Sequence, residues 1–213
     1  MNFCADQLLL YAVTDRAWVG RQTLLEQIED ALQGGVTMVQ LREKELPEDA
    51  FTAEAMEVKA LCHRYGVPLL IDDNVDVALK SGADGVHVGI EDTPVAEIRA
   101  RAGRDFIIGA TAKTVEQARA AQTAGADYLG VGAVFPSPTK KNAVRITVEQ
   151  LRDICGSVTI PAVAIGGISL GNIRELRGGG MRGVAVISAL FGADDIAGAA
   201  RTLKQEALSA VTR

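Results

Sequence analysis

Cysteine is scarce in this chain, with only Cys4, Cys62 and Cys155 among 213 residues. Three thiols, odd in number and widely spaced, exclude a disulfide framework and match no zinc-ligand spacing. They read as reduced thiols in a cytoplasmic protein. Histidine is scarcer still, and neither His63 nor His87 has the partners of a Ser/His/Asp triad, which argues against hydrolase chemistry of that type. His63 falls in a helix beside Cys62 and reads as surface or packing. His87 lies between Val86 and Val88 and reads as hydrogen-bonded structure rather than as a ligand. No apolar run reaches the 18 or so residues of a membrane span, and no basic segment followed by an apolar one opens the chain, so neither a membrane protein nor a secretory signal is expected. Aromatics make up only 4% while glycine appears 22 times, a mix that suits many short α/β connections better than an aromatic-rich sandwich. Positive charge is in deficit, at a net −5, which argues against a nucleic-acid surface.

What the chain does have is apolar content, 48%, arranged as short runs alternating with amphipathic stretches. Eight runs read as strands: Leu8–Thr14, Thr37–Arg42, Pro68–Asp72, Gly85–Gly89, Phe106–Thr111, Tyr128–Val134, Ala162–Gly166 and Gly183–Ser188. They are almost continuously apolar, as in a parallel sheet buried on both faces. Helices are expected at Thr23–Gln33, Glu48–Tyr65, Val75–Ser81, Pro94–Ala102, Val115–Ala124, Val148–Cys155, Leu170–Arg177 and Ile196–Leu208. Thr93, Thr114 and Thr147 stand where N-caps belong, the last two with glutamine three residues on. Glycines 34, 66, 82, 103, 125 and 178 stand at helix ends.

Three segments repeat one pattern of helix end, glycine turn and strand start: residues 33–39, 81–86 and 124–129. Eight such βα units in this length predict an α/β fold of one class, a single-domain (β/α)8 TIM barrel spanning residues 1–213. A doubly wound open sheet is the rival, disfavoured because no strand reads as an edge.

In a barrel the chemistry sits at the carboxyl ends of the strands. Polar residues gather there: Asp15, Arg42, Lys44, Asp72, Asp73, Thr111, Lys113, Ser137, Thr139, Lys140 and Ser188. The run Gln40-Leu41-Arg42-Glu43-Lys44 is the most informative. Period-two alternation puts Gln40, Arg42 and Lys44 on one face and Leu41 on the other. Two cations on a buried strand end demand an anionic partner. That partner is either a phosphorylated ligand or an internal carboxylate such as Glu43 or Glu45. Asp72 and Asp73 end the third strand and Asp92 follows the fourth. They are carboxylates able to share a hard cation, or else helix caps. Pro136-Ser137-Pro138-Thr139-Lys140 forms a stiff loop with two hydroxyls and a point charge suited to phosphate. Gly166-Gly167 and the Val186-Ile187-Ser188 segment close the last two strands, where barrels commonly build a phosphate site.

These motifs resemble the thiamine-phosphate synthase family. The resemblance runs through YAVTD (Tyr11 to Asp15), QLREK (Gln40 to Lys44), Asp72-Asp73, ADGVHVGIED (Ala83 to Asp92), GATAK (Gly109 to Lys113), GVGAVFPSPTKK (Gly130 to Lys141), AIGGI (Ala164 to Ile168) and VAVIS (Val184 to Ser188). It implies an enzyme that joins a hydroxymethylpyrimidine diphosphate to a thiazole phosphate, releasing diphosphate and forming thiamine monophosphate. The resemblance further implies that the run Gln40, Leu41, Arg42, Glu43 and Lys44, with Lys140, holds the pyrimidine diphosphate. Asp72 would lie beside it and Thr111 would touch the pyrimidine. Ser137, Pro138, Thr139, Gly167, Ile187 and Ser188 would hold the thiazole phosphate. Arg42, Lys44, Lys140 and Thr111 would serve catalysis, and Asp73 and Asp92 would bind Mg2+. Asp72 stands where the family has asparagine, Ile90 where glutamine is common, Lys113 where histidine is common and Thr111 where serine is usual. The partners implied are small phosphorylated molecules, with no nucleic acid and no membrane, and a homo-oligomer is left open. The alternatives are a thiazole tautomerase-like barrel, another phosphate-sugar isomerase, or a non-catalytic phosphate-ligand-binding paralogue.

Overall fold

Each of the eight apolar runs forms a strand, and each strand pairs in parallel with the next until β8 closes on β1. The computed structural model describes residues 3–20, 22–137 and 144–211. The strands are β1 Leu10–Val13, β2 Met38–Leu41, β3 Leu69–Asp72, β4 Gly85–Val88, β5 Ile107–Ala112, β6 Tyr128–Gly132, β7 Ala162–Ile165 and β8 Gly183–Val186. The open-sheet rival is therefore excluded. Alternation sorts the side chains into two cores. Tyr11, Val13, Met38, Leu70, Ile107, Tyr128, Val163 and Ala185 fill the barrel. Leu10, Ala12, Val39, Leu41, Leu69, Ile71, Val86 and Ile108 face outward into the layer shared with the helices.

The helices are α1 Leu24–Gln33, α2 Glu48–Arg64, α3 Val75–Ser81, α4 Val95–Ala102, α5 Val115–Ala124, α6 Val148–Gly156, α7 Ser188–Phe191 and α8 Ile196–Val211. Helix α1 shows how the sequence builds one. Thr23 and Glu26 form a reciprocal capping box, and Leu24, Ile28, Ala31 and Leu32 bury one stripe against the sheet. No helix among the described residues is long and apolar enough to cross a membrane.

Several local expectations differ from the structure. The helix expected at Leu170–Arg177 is a single 3-10 turn, Ile173–Leu176. Asn172 explains this, because its side chain accepts from Ser169 N and donates to Gly167 O, tying the segment into a turn. The short helix α7 was not expected. Thr93 caps nothing, since Pro94 occupies the N-cap of α4 without a side-chain bond. Thr114 does cap α5, but Gln117 reaches back to Lys113 N instead of closing the box.

The recurrent glycine turns have a common purpose. Gly35, Gly82 and Gly125 are left-handed, at φ 95°, 65° and 100°, and each stands three residues before a strand. Two residues after each glycine a polar side chain accepts the first or second N–H of the preceding strand. Thr37 Oγ1 takes Leu10 N at 2.9 Å and Asp84 Oδ2 takes Leu69 N at 2.9 Å. Asp127 Oδ2 takes Ile108 N at 2.7 Å. The repeat is thus a device that satisfies strand ends at the amino-terminal face of the barrel. It leaves the carboxyl face for chemistry.

Candidate active site

At the carboxyl end of β2 the chain leaves the barrel with Arg42 and Lys44 on the inner side. Leu41 is fully buried in the outer layer, so its side chain does not reach the mouth. Glu43 is also spoken for. Arg16 donates to one carboxylate oxygen, while the other accepts Lys44 N at 2.7 Å and Glu45 N at 3.0 Å. Glu43 therefore ties the backbone of the loop after β2 to Arg16.

The cations are neutralised by carboxylates of neighbouring strands, not by Glu43 or Glu45. Arg42 Nη1 lies 3.0 Å from Asp15 Oδ2, and its Nε lies 3.7 Å from Asp72 Oδ2. Thr14 Oγ1 accepts Arg42 N at 2.9 Å. Lys44 Nζ lies 2.8 Å from Asp72 Oδ2 and 2.6 Å from Asp73 Oδ2. A cleft of about 580 Å³ opens beside them, lined by Asp15, Trp18, Arg42 and Lys44 among others. Asp15 escaped attention as a partner of Arg42, although its place in the first strand's motif was the available signal.

Asp73 and Asp92 touch through their carboxyl groups. Neither caps a helix: Asn74 caps α3, and Asp92 Oδ2 instead accepts Gly89 N at 2.7 Å. Asp73 holds a left-handed backbone, φ 61°, that is uncommon outside glycine. Burial pushes Asp73 toward protonation, but Lys44 and Asp92 outweigh it and hold its carboxyl below the usual range. Asp92 is raised, by burial and then by Asp73. Two adjoining carboxyl groups are oxygen donors of the kind a hard divalent ion takes, with ligand oxygens and water completing its shell. The residues fit Mg2+ on that ground. Asp72 is raised too, by burial and the adjacent Asp73, against the pull of Lys44 and Arg42.

Below this rim the register carries Asp72 opposite His87, His87 opposite Gly109, and Gly109 opposite Tyr128. His87 bonds Tyr128 Oη through Nδ1 at 2.9 Å and Thr111 Oγ1 through Nε2 at 3.1 Å, as a structural histidine would. Gln40 donates to Tyr11 Oη at 2.8 Å. Sequence reasoning missed this tyrosine pair, because hydroxyls inside apolar strands read as packing.

On the far side, Phe135 N bonds Gly166 O at 3.0 Å, tying the loop after β6 to the loop after β7. Ser137 is half-buried in that loop. Gly166 and Gly167 are left-handed, and Ile187 and Ser188 open α7. Pro138, Thr139 and Lys140 lie outside the described residues. The rim thus gathers Arg42, Lys44, Asp72, Asp73 and Asp92 on one side, with Gln40 and Thr111 below it at the two ends of the hydrogen-bonded set. Ser137, Gly167, Ile187 and Ser188 belong to the loops after β6, β7 and β8.

Fold and rim are those of a (β/α)8-barrel enzyme whose charged groups gather at the carboxyl ends of its strands. The family model for thiamine monophosphate synthase matches residues 10–190, and the chain belongs to that family. It is 46% identical over 194 residues to a thiamine-phosphate synthase of Ruminiclostridium cellulolyticum, covering 91% of this chain and 92% of that protein. It is 44% identical to the thiamine-phosphate synthase of Clostridium tetani, covering 88% and 90%. Among solved structures, thiamine phosphate pyrophosphorylase from Pyrococcus furiosus superposes with a TM-score of 0.89 at 39% identity, over 98% of this chain and 99% of that one. A 3-hexulose-6-phosphate synthase shares the fold alone, with a TM-score of 0.65 at 17% identity over 93% of this chain and 99% of that one. The tautomerase-like, isomerase and non-catalytic alternatives find no support in these matches.

Proposed function

We propose that this chain condenses hydroxymethylpyrimidine diphosphate with a thiazole phosphate, giving thiamine monophosphate and diphosphate. The observation that carries the site assignment is the convergence of Arg42 and Lys44 on Asp72 and Asp73 at one rim, with Asp92 beside them.

The aminopyrimidine ring delocalises positive charge from its methylene carbon. The methylene C–O bond breaks, its electron pair leaves with the diphosphate, and the thiazole nitrogen forms the new C–N bond with its own lone pair. No strong base is required. The protein positions the two substrates and stabilises charge on the departing anion. Arg42 and Lys44 are placed to do so, with Lys140 assigned by family resemblance. Each cation exchanges a carboxylate partner for a diphosphate oxygen. Asp73 and Asp92 would hold Mg2+, which when bound offsets negative charge on the leaving group. Gln40 and Thr111 face the pyrimidine, while Ser137, Thr139, Gly167, Ile187 and Ser188 take the thiazole phosphate. A cytoplasmic setting suits reduced thiols and phosphorylated substrates.

The test is direct. The purified protein is incubated with both substrates, with Mg2+ and then with chelator, and thiamine phosphate and diphosphate are measured together. Equal amounts of both, lost on chelation, are expected. Binding of the pyrimidine diphosphate without product would overturn the reading.

A further inference from the structure

A continuous hydrogen-bonded chain crosses the barrel under the rim. It runs from Gln40 through Tyr11, Tyr128 and His87 to Thr111, with links of 2.8, 2.9, 2.9 and 3.1 Å. The two phenols are fully buried, Tyr11 at 1% and Tyr128 at 0% exposure. The space for them is cut deliberately. A Cβ on Gly109 would lie 2.2 Å from Tyr128 Cζ and 2.5 Å from His87 Nδ1. One on Gly130 would lie 2.8 Å from His87 Cε1. Glycine inside a strand weakens it and marks a close approach, so two on adjacent strands point to a constraint beyond folding.

The direction taken for the chain is the one that gives each of its hydroxyl hydrogens a partner. Gln40 Nε2 can only donate, so Tyr11 Oη accepts. Either hydroxyl of the Tyr11–Tyr128 pair can donate; with the Tyr11 hydrogen on Tyr128 and the Tyr128 hydrogen on His87 Nδ1, neither is left without a partner inside the chain. That order puts the proton of a neutral His87 on Nε2, toward Thr111 Oγ1. Burial holds both phenols protonated, so the chain does not lose its hydrogens. At the ends, Gln40 is left offering its carbonyl oxygen and Thr111 its hydroxyl hydrogen. An acceptor and a donor at fixed places complement an aminopyrimidine, which brings exocyclic N–H donors and ring-nitrogen acceptors.

We propose that Tyr11 and Tyr128 are positioning residues that set the polarity of Gln40 and Thr111, and so select the aminopyrimidine substrate. The proposal rests on the synthase reading above. It concerns how the ring is recognised, not how diphosphate departs.

The chain contains only two histidines, so 15N spectra of the imidazoles are simple, with His63→Gln assigning the second signal. In the wild-type protein His87 is expected to be the Nε2–H tautomer. In Tyr128→Phe it becomes a mixture. In the same variant KM for the pyrimidine diphosphate rises about tenfold, the size expected for one lost buried hydrogen bond, while KM for the thiazole phosphate stays within about twofold. A merely structural role would move both constants together. Tyr11→Phe breaks the chain one link further on and serves if Tyr128→Phe does not accumulate. His87 protonated on Nδ1 in the wild type, or equal changes in both KM values, would overturn the proposal. Absence of any product from the wild type sinks the synthase reading instead, and the tautomer measurement remains independent of it.

Discussion

Lys44 Nζ sits 2.6 Å from Asp73 Oδ2, joining the end of one strand to the turn after the next. Burial alone would lower the lysine, yet Asp72 and Asp73 raise it, so it stays cationic. The ion pair holds Lys44 at the rim until an anion arrives, and Lys44 is half-exposed and able to swing to it. Lys44→Ala should therefore leave the fold intact and lower turnover about a hundredfold, the usual cost of one preorganised electrostatic contact. Steady-state rates alongside a circular-dichroism melt check this. A wild-type rate in a folded variant would remove Lys44 from the machinery.

Glu43 gives a pH-dependent prediction. Burial pushes its carboxyl up, but Glu45 N, Arg16 and Lys44 N outweigh this and hold it below the usual range. A carboxyl lowered in the folded state contributes stability above its unfolded value, about 4.3. That contribution is lost as pH falls through the folded value. Glu43→Gln should thus melt about 5 °C lower at pH 7, for a charged hydrogen-bond loss of about 2 kcal/mol. The gap between the two proteins should close below about pH 4. Parallel melting curves across that range would show that the charge of Glu43 contributes nothing.

Much of this was legible in the sequence because burial writes its own pattern. Strands covered on both faces must be apolar throughout, so all eight appeared. Period two placed Gln40, Arg42 and Lys44 inside and Leu41 outside, as found. Three features stayed hidden for physical reasons. The partners of Arg42 and Lys44, Asp15, Asp72 and Asp73, lie at the ends of other strands, and only the pairing of β2 with β1 and β3 brings them together. The segment near Leu170 has helical spacing, but the Asn172 turn overrides it. Tyr11 and Tyr128 are far apart in sequence, and nothing local distinguishes a relay hydroxyl from a packed ring.

The cysteines separate by burial. Cys62 and Cys155 thiols are pushed up to about 12, by desolvation above all, whereas Cys4 is exposed. The thiolate is the reactive form, so iodoacetamide at pH 8 should modify Cys4 and spare the other two in the native protein. Peptide mass spectrometry before and after denaturation reads this out. Native labelling of Cys62 would mean that α2 opens from the sheet.

Gly167 tests the far side of the rim without touching a charged group. Its φ of 63° is already unfavourable for other residues, and a Cβ there would lie 2.1 Å from Pro136 O and 2.8 Å from Phe135 C. Those atoms are backbone, so they yield only if the loop moves. Gly167→Ala should then push the loop carrying Ser137 away from the loop after β7. If these two loops hold the thiazole phosphate, KM for that substrate rises about tenfold or more, a shift of at least about 1.4 kcal/mol. The KM for the pyrimidine diphosphate changes far less, because Arg42 and Lys44 sit on the opposite side of the barrel mouth. The same variant separates two causes of lost activity. A general loosening of the barrel lowers the melting temperature and raises both constants, whereas displacement of one loop raises one. Equal effects on both substrates would mean that the thiazole phosphate is not held between Ser137 and Gly167.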